Sequence, residues 1–160
     1  MIRIVCVLLC AVLFLKPAVA QKGGSDIPLF KLWRTNGQLV TAKDLPAKKP
    51  VVLIYFAPDC HHCTDLLNGV FKEMATFKKA TLLLATFKPA AELRTYEQAH
   101  KPGGYPNIIS GTEGNTFMLR YHYNMQKTPF VALFNASGKL VRTFDNEPLV
   151  KDILPGVKAL

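Results

Sequence analysis

Val51-Val52-Leu53-Ile54-Tyr55-Phe56-Ala57 is an unbroken β-branched and aromatic run. A strand without a polar face has to be covered on both sides, so this one belongs inside a sheet with layers above and below it. Past Pro58-Asp59 the period changes. Leu66, Leu67, Val70, Phe71, Met74 and Phe77 share one face at helical spacing, while Asp65, Asn68, Lys72, Glu73 and Thr76 take the other. The spacing predicts one amphipathic helix from Cys60 onward, with Asp59 as its N-cap.

The remaining chain alternates in the same way. Thr81 to Phe87 predicts a second buried strand, and Pro89 opens a shorter helix from Ala90 to about His100. Lys101–Pro106 reads as a loop, Asn107–Ser110 as a short strand and Glu113 to about Tyr121 as a short helix. Phe130–Phe134 is a strand that Asn135-Ala136-Ser137-Gly138 turns into a partner, Lys139–Phe144. Upstream, the alternating stretch Leu29–Thr35 turns at Asn36-Gly37 into Gln38–Thr41, the strongest kind of short hairpin signal. Glu147–Leu160 closes the chain with helical spacing at Leu149, Val150, Ile153 and Leu154, which Pro155-Gly156 is expected to kink or end. The order predicts an α/β fold: a central mixed β-sheet flanked by helices on both faces, with an N-terminal β-hairpin and a small central insertion.

At 160 residues and 49% hydrophobic, the chain has material for one domain with a full core. Met1-Ile2-Arg3 is positive, and Ile4–Leu15 is an apolar run of twelve residues, short of the roughly 20 that a spanning helix needs. Ala18-Val19-Ala20 then offers a small-x-small cleavage pattern. The reading is a cleaved signal peptide over residues 1–20 and a periplasmic or secreted domain over 21–160, with a retained anchor as the alternative. Cys10 follows Leu9, where a lipid-modification signal wants a small residue. Removing 1–20 takes away Cys6 and Cys10, leaves Cys60 and Cys63, and lowers the net charge from +9 to +7. The positive charge is scattered, which argues against nucleic acid. It describes a soluble monomer whose basic surface anionic membranes or acidic partners can weakly attract.

A lone vicinal pair is no disulfide framework. Cys60-His61-His62-Cys63 lies where a buried strand gives way to an amphipathic helix. A sulfur there meets unsatisfied backbone N–H groups and the positive end of the helix dipole, which favour its thiolate. The first cysteine is expected to be exposed and to attack. The second, one turn on and shielded, is expected to resolve.

With these residues the chain resembles the thioredoxin superfamily, and within it the exported TlpA/ResA-type thiol–disulfide oxidoreductases. The resemblance rests on Val51–Ala57, the Asp59-Cys60-His61-His62-Cys63 turn, Thr128-Pro129 before a strand and the Asn135–Gly138 hairpin, and spans about residues 27–160. It implies a thioredoxin-like fold and exchange with protein dithiols or disulfides. A redox partner would reset Cys60 and Cys63, with neither cofactor nor metal. It also implies that Pro129 is cis opposite the cysteines and that the Thr128 backbone pairs with an extended substrate segment. Read from the residues alone, a trans proline opening a strand serves as well.

The departures are specific. Relatives place Trp or a neutral residue where this chain has Asp59, whose charge opposes a thiolate unless it only caps the helix. Ile54 stands where cytosolic thioredoxins bury an acid, so Cys63 lacks that base, and the motif has no proline. His62 stands where periplasmic disulfide-introducing oxidases carry the histidine of Cys-Pro-His-Cys. With His61 it is expected to tune the pair toward oxidising behaviour, unless both rings are merely solvated.

Three other readings compete. A thioredoxin-fold copper chaperone would use the four ligands of Cys-His-His-Cys, with His100 or His122 at a distance. Four consecutive positions at a turn cannot all face one tetrahedral centre, however, and copper-delivery relatives use C-x-x-x-C. A peroxidase needs Pro-x-x-x-Thr/Ser-x-x-Cys, and residues 51–59 contain neither Thr nor Ser. A non-catalytic interaction module has no need of both cysteines. Phe117 and Tyr121-His122-Tyr123 are expected to pack into the core rather than line a groove. Asn135-Ala136-Ser137 fits a glycosylation acceptor but reads as turn chemistry.

Overall fold

A computed structural model describes residues 26–160, so the signal-peptide reading, with Cys6 and Cys10, falls outside the described residues. The strands are β1 Lys31–Trp33, β2 Leu39–Thr41, β3 Val51–Tyr55, β4 Thr81–Thr86, β5 Ile108–Thr112, β6 Phe130–Phe134 and β7 Leu140–Phe144. The helices are α1 His61–Lys72, α2 Met74–Phe77, α3 Ala90–His100, α4 Met118–His122 and α5 Val150–Lys158. The seven strands form one mixed sheet in the order β2-β1-β5-β4-β3-β6-β7.

β3 is central, parallel to β4 and antiparallel to β6. All its residues are buried, as a strand without a polar face requires. The crossovers from β3 to β4 and from β4 to β5 step the same way across the sheet. Right-handed connections therefore put α1 and α3 on one face. There Val52, Ile54 and Phe56 meet Leu66, Leu67, Leu93, Tyr96 and Ile153. Val51, Leu53 and Tyr55 face the other way, onto Phe30, Leu32, Leu119 and Tyr123. Helices thus lie on both faces, but α4 and the N-terminal hairpin cover the second. The hairpin turns at Gly37 with φ 85. It docks on β5 where a Cβ at Gly111 would come within 2.8 Å of Leu32 Cβ.

Four expectations are corrected. The amphipathic helix is broken at Glu73 (φ −97, ψ 20), a bend that leaves Met74 and Phe77 in the core. Pro155 does not end α5, which continues to Lys158. Pro155 and Lys151 are both exposed, so water can serve the carbonyl that the missing N–H leaves. Gly156 lets the helix close on β6, since a Cβ there would stand 2.6 Å from Leu133 Cδ1. The stretch Glu113–Tyr121 is a 3-10 turn, Gly114–Thr116, and then α4, divided at Phe117 with φ 48. Its aromatic residues part company: Tyr123 is buried, whereas Tyr121 is 75% exposed.

Asn135 behaves as turn chemistry. Its Oδ1 accepts from the Ser137 N–H and hydroxyl and from the Lys139 N–H at 3.0, 2.7 and 3.0 Å. Among the described residues no helix is long and apolar enough to cross a membrane.

Candidate redox site

Beyond β3 the chain turns sharply, and the Cys60 N–H donates to Ala57 O at 3.0 Å. Cys60 is the N-cap of α1, with extended backbone at φ −98 and ψ 122, so Asp59 is not the cap. The Thr64 N–H closes the first turn on Cys60 O at 3.1 Å. His61, His62 and Cys63 are therefore the first three helical residues, which brings both sulfurs to the end of the helix where backbone N–H groups lack partners.

The two thiols differ in setting. Cys60 is half-buried, and its Sγ lies 3.6 Å from Thr128 O, to which the thiol donates. The Thr128-Pro129 peptide is cis and Pro129 is buried. Cys63 is 1% exposed, and its Sγ accepts from the Ala57 N–H at 3.4 Å. Both cysteines are free thiols. Burial pushes the Cys60 thiol up, but the Cys63 side chain, the Cys63 N–H, the Thr128 side chain and the His62 N–H together outweigh it and hold Cys60 below its ordinary value. Those N–H groups face the sulfur without closing a short cap bond to it. Burial dominates at Cys63 and, with the neighbouring Cys60, pushes its thiol up to about 12 despite the Ala57 N–H. One sulfur is accessible and easily ionised; the other is shielded and protonated.

Each of the imidazoles expected to tune Cys60 meets a carboxylate. His61 Nε2 lies 3.2 Å from Asp65 Oδ2, and His62 Nε2 lies 3.5 Å from Glu147 Oε2. The His62 backbone N–H also favours the Cys60 thiolate. Asp59 pairs with Lys88, Nζ to Oδ2 at 2.6 Å. The hydrogen bond from Lys88 holds the Asp59 carboxyl below its usual range and places a cation beside the charge that would oppose the thiolate. Of the distant histidines, His100 stacks on Tyr96 and His122 meets Tyr123 edge-on. No group of three or more His, Cys, Asp or Glu side chains converges as a metal site among the described residues.

Three contributors escape a reading of the sequence. Lys88 could have been found from strand register: Tyr55 pairs with Ala85, so the residues just past both strand ends, Asp59 and Lys88, come out side by side. Glu147 carries no such signal. It reaches the site from the β7–α5 loop through two left-handed residues, Asn146 at φ 60 and Glu147 at φ 61. Glu113 is 2% exposed and accepts from Tyr55 Oη at 2.6 Å and from the Leu119 N–H at 2.9 Å, which fastens the insertion under β3. Burial, reinforced by Glu113, raises the Tyr55 phenol well above its ordinary value.

No protein-family model and no curated protein sequence matches the chain. Solved structures do. The pneumococcal exposed lipoprotein thioredoxin Etrx1 of Streptococcus pneumoniae aligns at TM-score 0.65 and 20% identity, covering 83% of this chain and all of its own. A secreted Mycobacterium tuberculosis disulfide oxidoreductase homologous to E. coli DsbE aligns at 0.67 and 16%, covering 82% and 96%. The reduced 2-Cys peroxiredoxin of Plasmodium vivax aligns at 0.65 and 18%, covering 86% and 95%. The chain has the thioredoxin-like fold. Because that fold carries both exchange enzymes and peroxidases, function has to be argued from the residues at the site.

Proposed function

We propose that the chain is an exported thiol–disulfide oxidoreductase that exchanges electrons with protein partners through Cys60 and Cys63. The observation that carries this reading is the asymmetry of the pair: a half-buried Cys60, its Sγ 3.6 Å from Thr128 O, next to a Cys63 that is 1% exposed. In the reducing direction the Cys60 thiolate attacks one sulfur of a partner disulfide, a Cys60–partner bond forms, and the other partner sulfur leaves as thiolate and takes up a proton. Cys63 then loses its proton and attacks Cys60 Sγ. The Cys60–Cys63 bond forms and the second partner thiol is released. Two electrons pass from the dithiol to the partner, and the reverse sequence oxidises a dithiol.

The raised Cys63 thiol has to give up its proton before it attacks, so resolution follows formation of the mixed disulfide. Thr128 and Pro129 make the docking edge, with the Thr128 backbone bonding an extended client segment. No resident cofactor or metal takes part in these steps, and a second redox protein resets the pair. Export is supported by the residue 1–20 pattern, and two aligned proteins are themselves described as an exposed lipoprotein and as secreted.

The test is covalent trapping. Reduced Cys63→Ala incubated with a protein disulfide accumulates a mixed disulfide through Cys60, whereas Cys60→Ser forms none; no adduct with either variant refutes the reading. The histidine pair supplies a finer expectation, a reduction potential less negative than the roughly −270 mV of thioredoxin. A value at or below that figure removes His61 and His62 from the account.

A further inference from the structure

Exposed apolar surface and unanswered positive charge gather in one part of the molecule, the N-terminal hairpin. Of the six large apolar side chains that stand in water among the described residues, three belong to it: Leu29 at 78% exposed, Trp33 at 49% and Leu39 at 37%. They share a face. Exposure alternates along the chain, with Leu29, Lys31 and Trp33 outward and Phe30 and Leu32 in the core. Trp33 pairs with Leu39 and Lys31 with Thr41, and residues directly opposite on paired strands project to the same side. The hairpin ends the sheet order, beyond β5. α3 holds it near its turn, where the Arg94 guanidinium donates to Thr35 O at 2.7 Å and Thr35 Oγ1 to the Glu97 carboxylate at 2.6 Å.

Residues 27–50, the hairpin and its link to β3, contain Lys31, Arg34, Lys43, Lys48 and Lys49 against the single acid Asp44. That is a net +4 over 24 residues, whereas residues 51–160 hold twelve basic and nine acidic side chains, a net +3 over 110. None of the five basic residues makes an ion pair among the described residues. The acid is already engaged, the Asp44 carboxylate accepting from the Thr41 N–H and hydroxyl at 2.8 and 2.7 Å.

We propose that this face docks the protein on an anionic lipid bilayer, with Trp33 and the two leucines entering the headgroup boundary and the basic residues meeting the headgroup phosphates. An indole, apolar in body with one N–H at its edge, suits that boundary. Each Lys or Arg near an anionic leaflet adds attraction. Other occupants fit less well. A second copy would set one +4 segment against another, and like charges across an interface repel. A stable protein interface takes about 20–30 residues a side. Three apolar side chains on a hairpin of three-residue strands fall far short of that, whereas lipid closes around a few. Export, supported by the residue 1–20 pattern, carries the chain across such a bilayer.

The test uses residues 21–160, which contain every strand and helix described and both halves of the core. Trp33 is the chain's only tryptophan, so its emission reports this face directly. Phosphatidylcholine vesicles with an equal part of phosphatidylglycerol should shift that emission to shorter wavelength and carry the protein down on sedimentation. Phosphatidylcholine alone, at the same lipid concentration, should do neither. Lys31→Gln should weaken partitioning roughly fivefold, and Leu29→Ser by about as much or more. Trp33→Ala, followed by sedimentation, should weaken it roughly tenfold. Lys158→Gln should change it by less than about twofold, because α5 packs on β6, four strand spacings and roughly 19 Å from β1, beyond a Debye length. All four side chains are exposed, and an unaltered rate of Cys60 alkylation shows that each variant is folded. No shift with either vesicle, an equal shift with both, or equal losses from Lys31→Gln and Lys158→Gln overturns the proposal. A shift that grows with protein concentration in the absence of lipid also overturns it and assigns the face to a second copy. These readouts stand whether or not Cys60 exchanges disulfides.

Discussion

Two βα units stand side by side in this sheet, β3–α1 and β4–α3, and only one presents sulfur chemistry. Both strands are fully buried and run parallel in register from Val51 opposite Thr81 to Tyr55 opposite Ala85. Both helices start just beyond the same sheet edge, and neither N-cap closes a side-chain bond. The difference lies in what the chain puts at those ends. α3 begins at Pro89 and carries Glu92 in its first turn, so a carboxylate already answers its positive end. α1 begins at Cys60, has no acid in its first turn, and adjoins β6, which brings Thr128 within 3.6 Å of Cys60 Sγ. A helix N-terminus is common to both units. A site arises where the cap atom is a sulfur, the first turn is left free of acid and a second element faces it.

The largest effect expected on this comparison is on turnover. Cys60→Ser should lower the reduction of a protein disulfide roughly a thousandfold or more, to background. A substitution in the neighbouring unit, Glu92→Gln, should leave turnover near the unaltered value. Comparable losses from the two would erase the distinction between the units.

Stability should treat them alike. Leu66→Ala in α1 and Leu93→Ala in α3 both empty fully buried positions, so each should cost about 2–5 kcal/mol in denaturant unfolding. A cost near zero at Leu66 would mean that the motif helix is not packed as described.

The pH dependence sharpens the contrast within α1 itself. A thiolate exists above its pKa, so Cys60, held low, should alkylate with a midpoint below the roughly 8.5 of free cysteine. Cys63, pushed up to about 12, should stay unmodified in the folded protein through neutral and mildly alkaline pH. Competitive alkylation read by peptide mass checks both, and equal labelling at pH 7 contradicts the assignment. The smallest expected effect is that of Asp59→Asn. Because Lys88 already offsets this exposed carboxylate, losing it should move the alkylation midpoint of Cys60 only slightly downward.

The succession of strands and helices and the turn that carries Cys60 and Cys63 were legible because they rest on local pattern. The apolar run Val51–Ala57, the hairpin signal at Asn36-Gly37 and the two-residue gap between Cys60 and Cys63 each fix their neighbourhood whatever the rest of the chain does. What stayed hidden depends on segments that meet only in three dimensions. Asp59 read as a cap because the residue before a helix usually is one, but Lys88, 29 positions on, takes its carboxylate. Pro155 read as a kink or a stop because propensity speaks first, whereas α5 runs on to Lys158 with Gly156 close against Leu133. The carboxylate that meets the His62 ring comes from Glu147, far along the chain. Glu147 depends on left-handed backbone at Asn146 and Glu147, which no sequence pattern announces.

Titration against glutathione redox buffers, with the thiol state of each cysteine read by peptide mass, asks the central question most directly. Cys60 and Cys63 are predicted to pass together from two free thiols to a joined pair in a single reversible two-electron step, leaving at most a trace bonded to glutathione. Two cysteines that stay free across the whole range, or that each capture glutathione separately, would contradict the account.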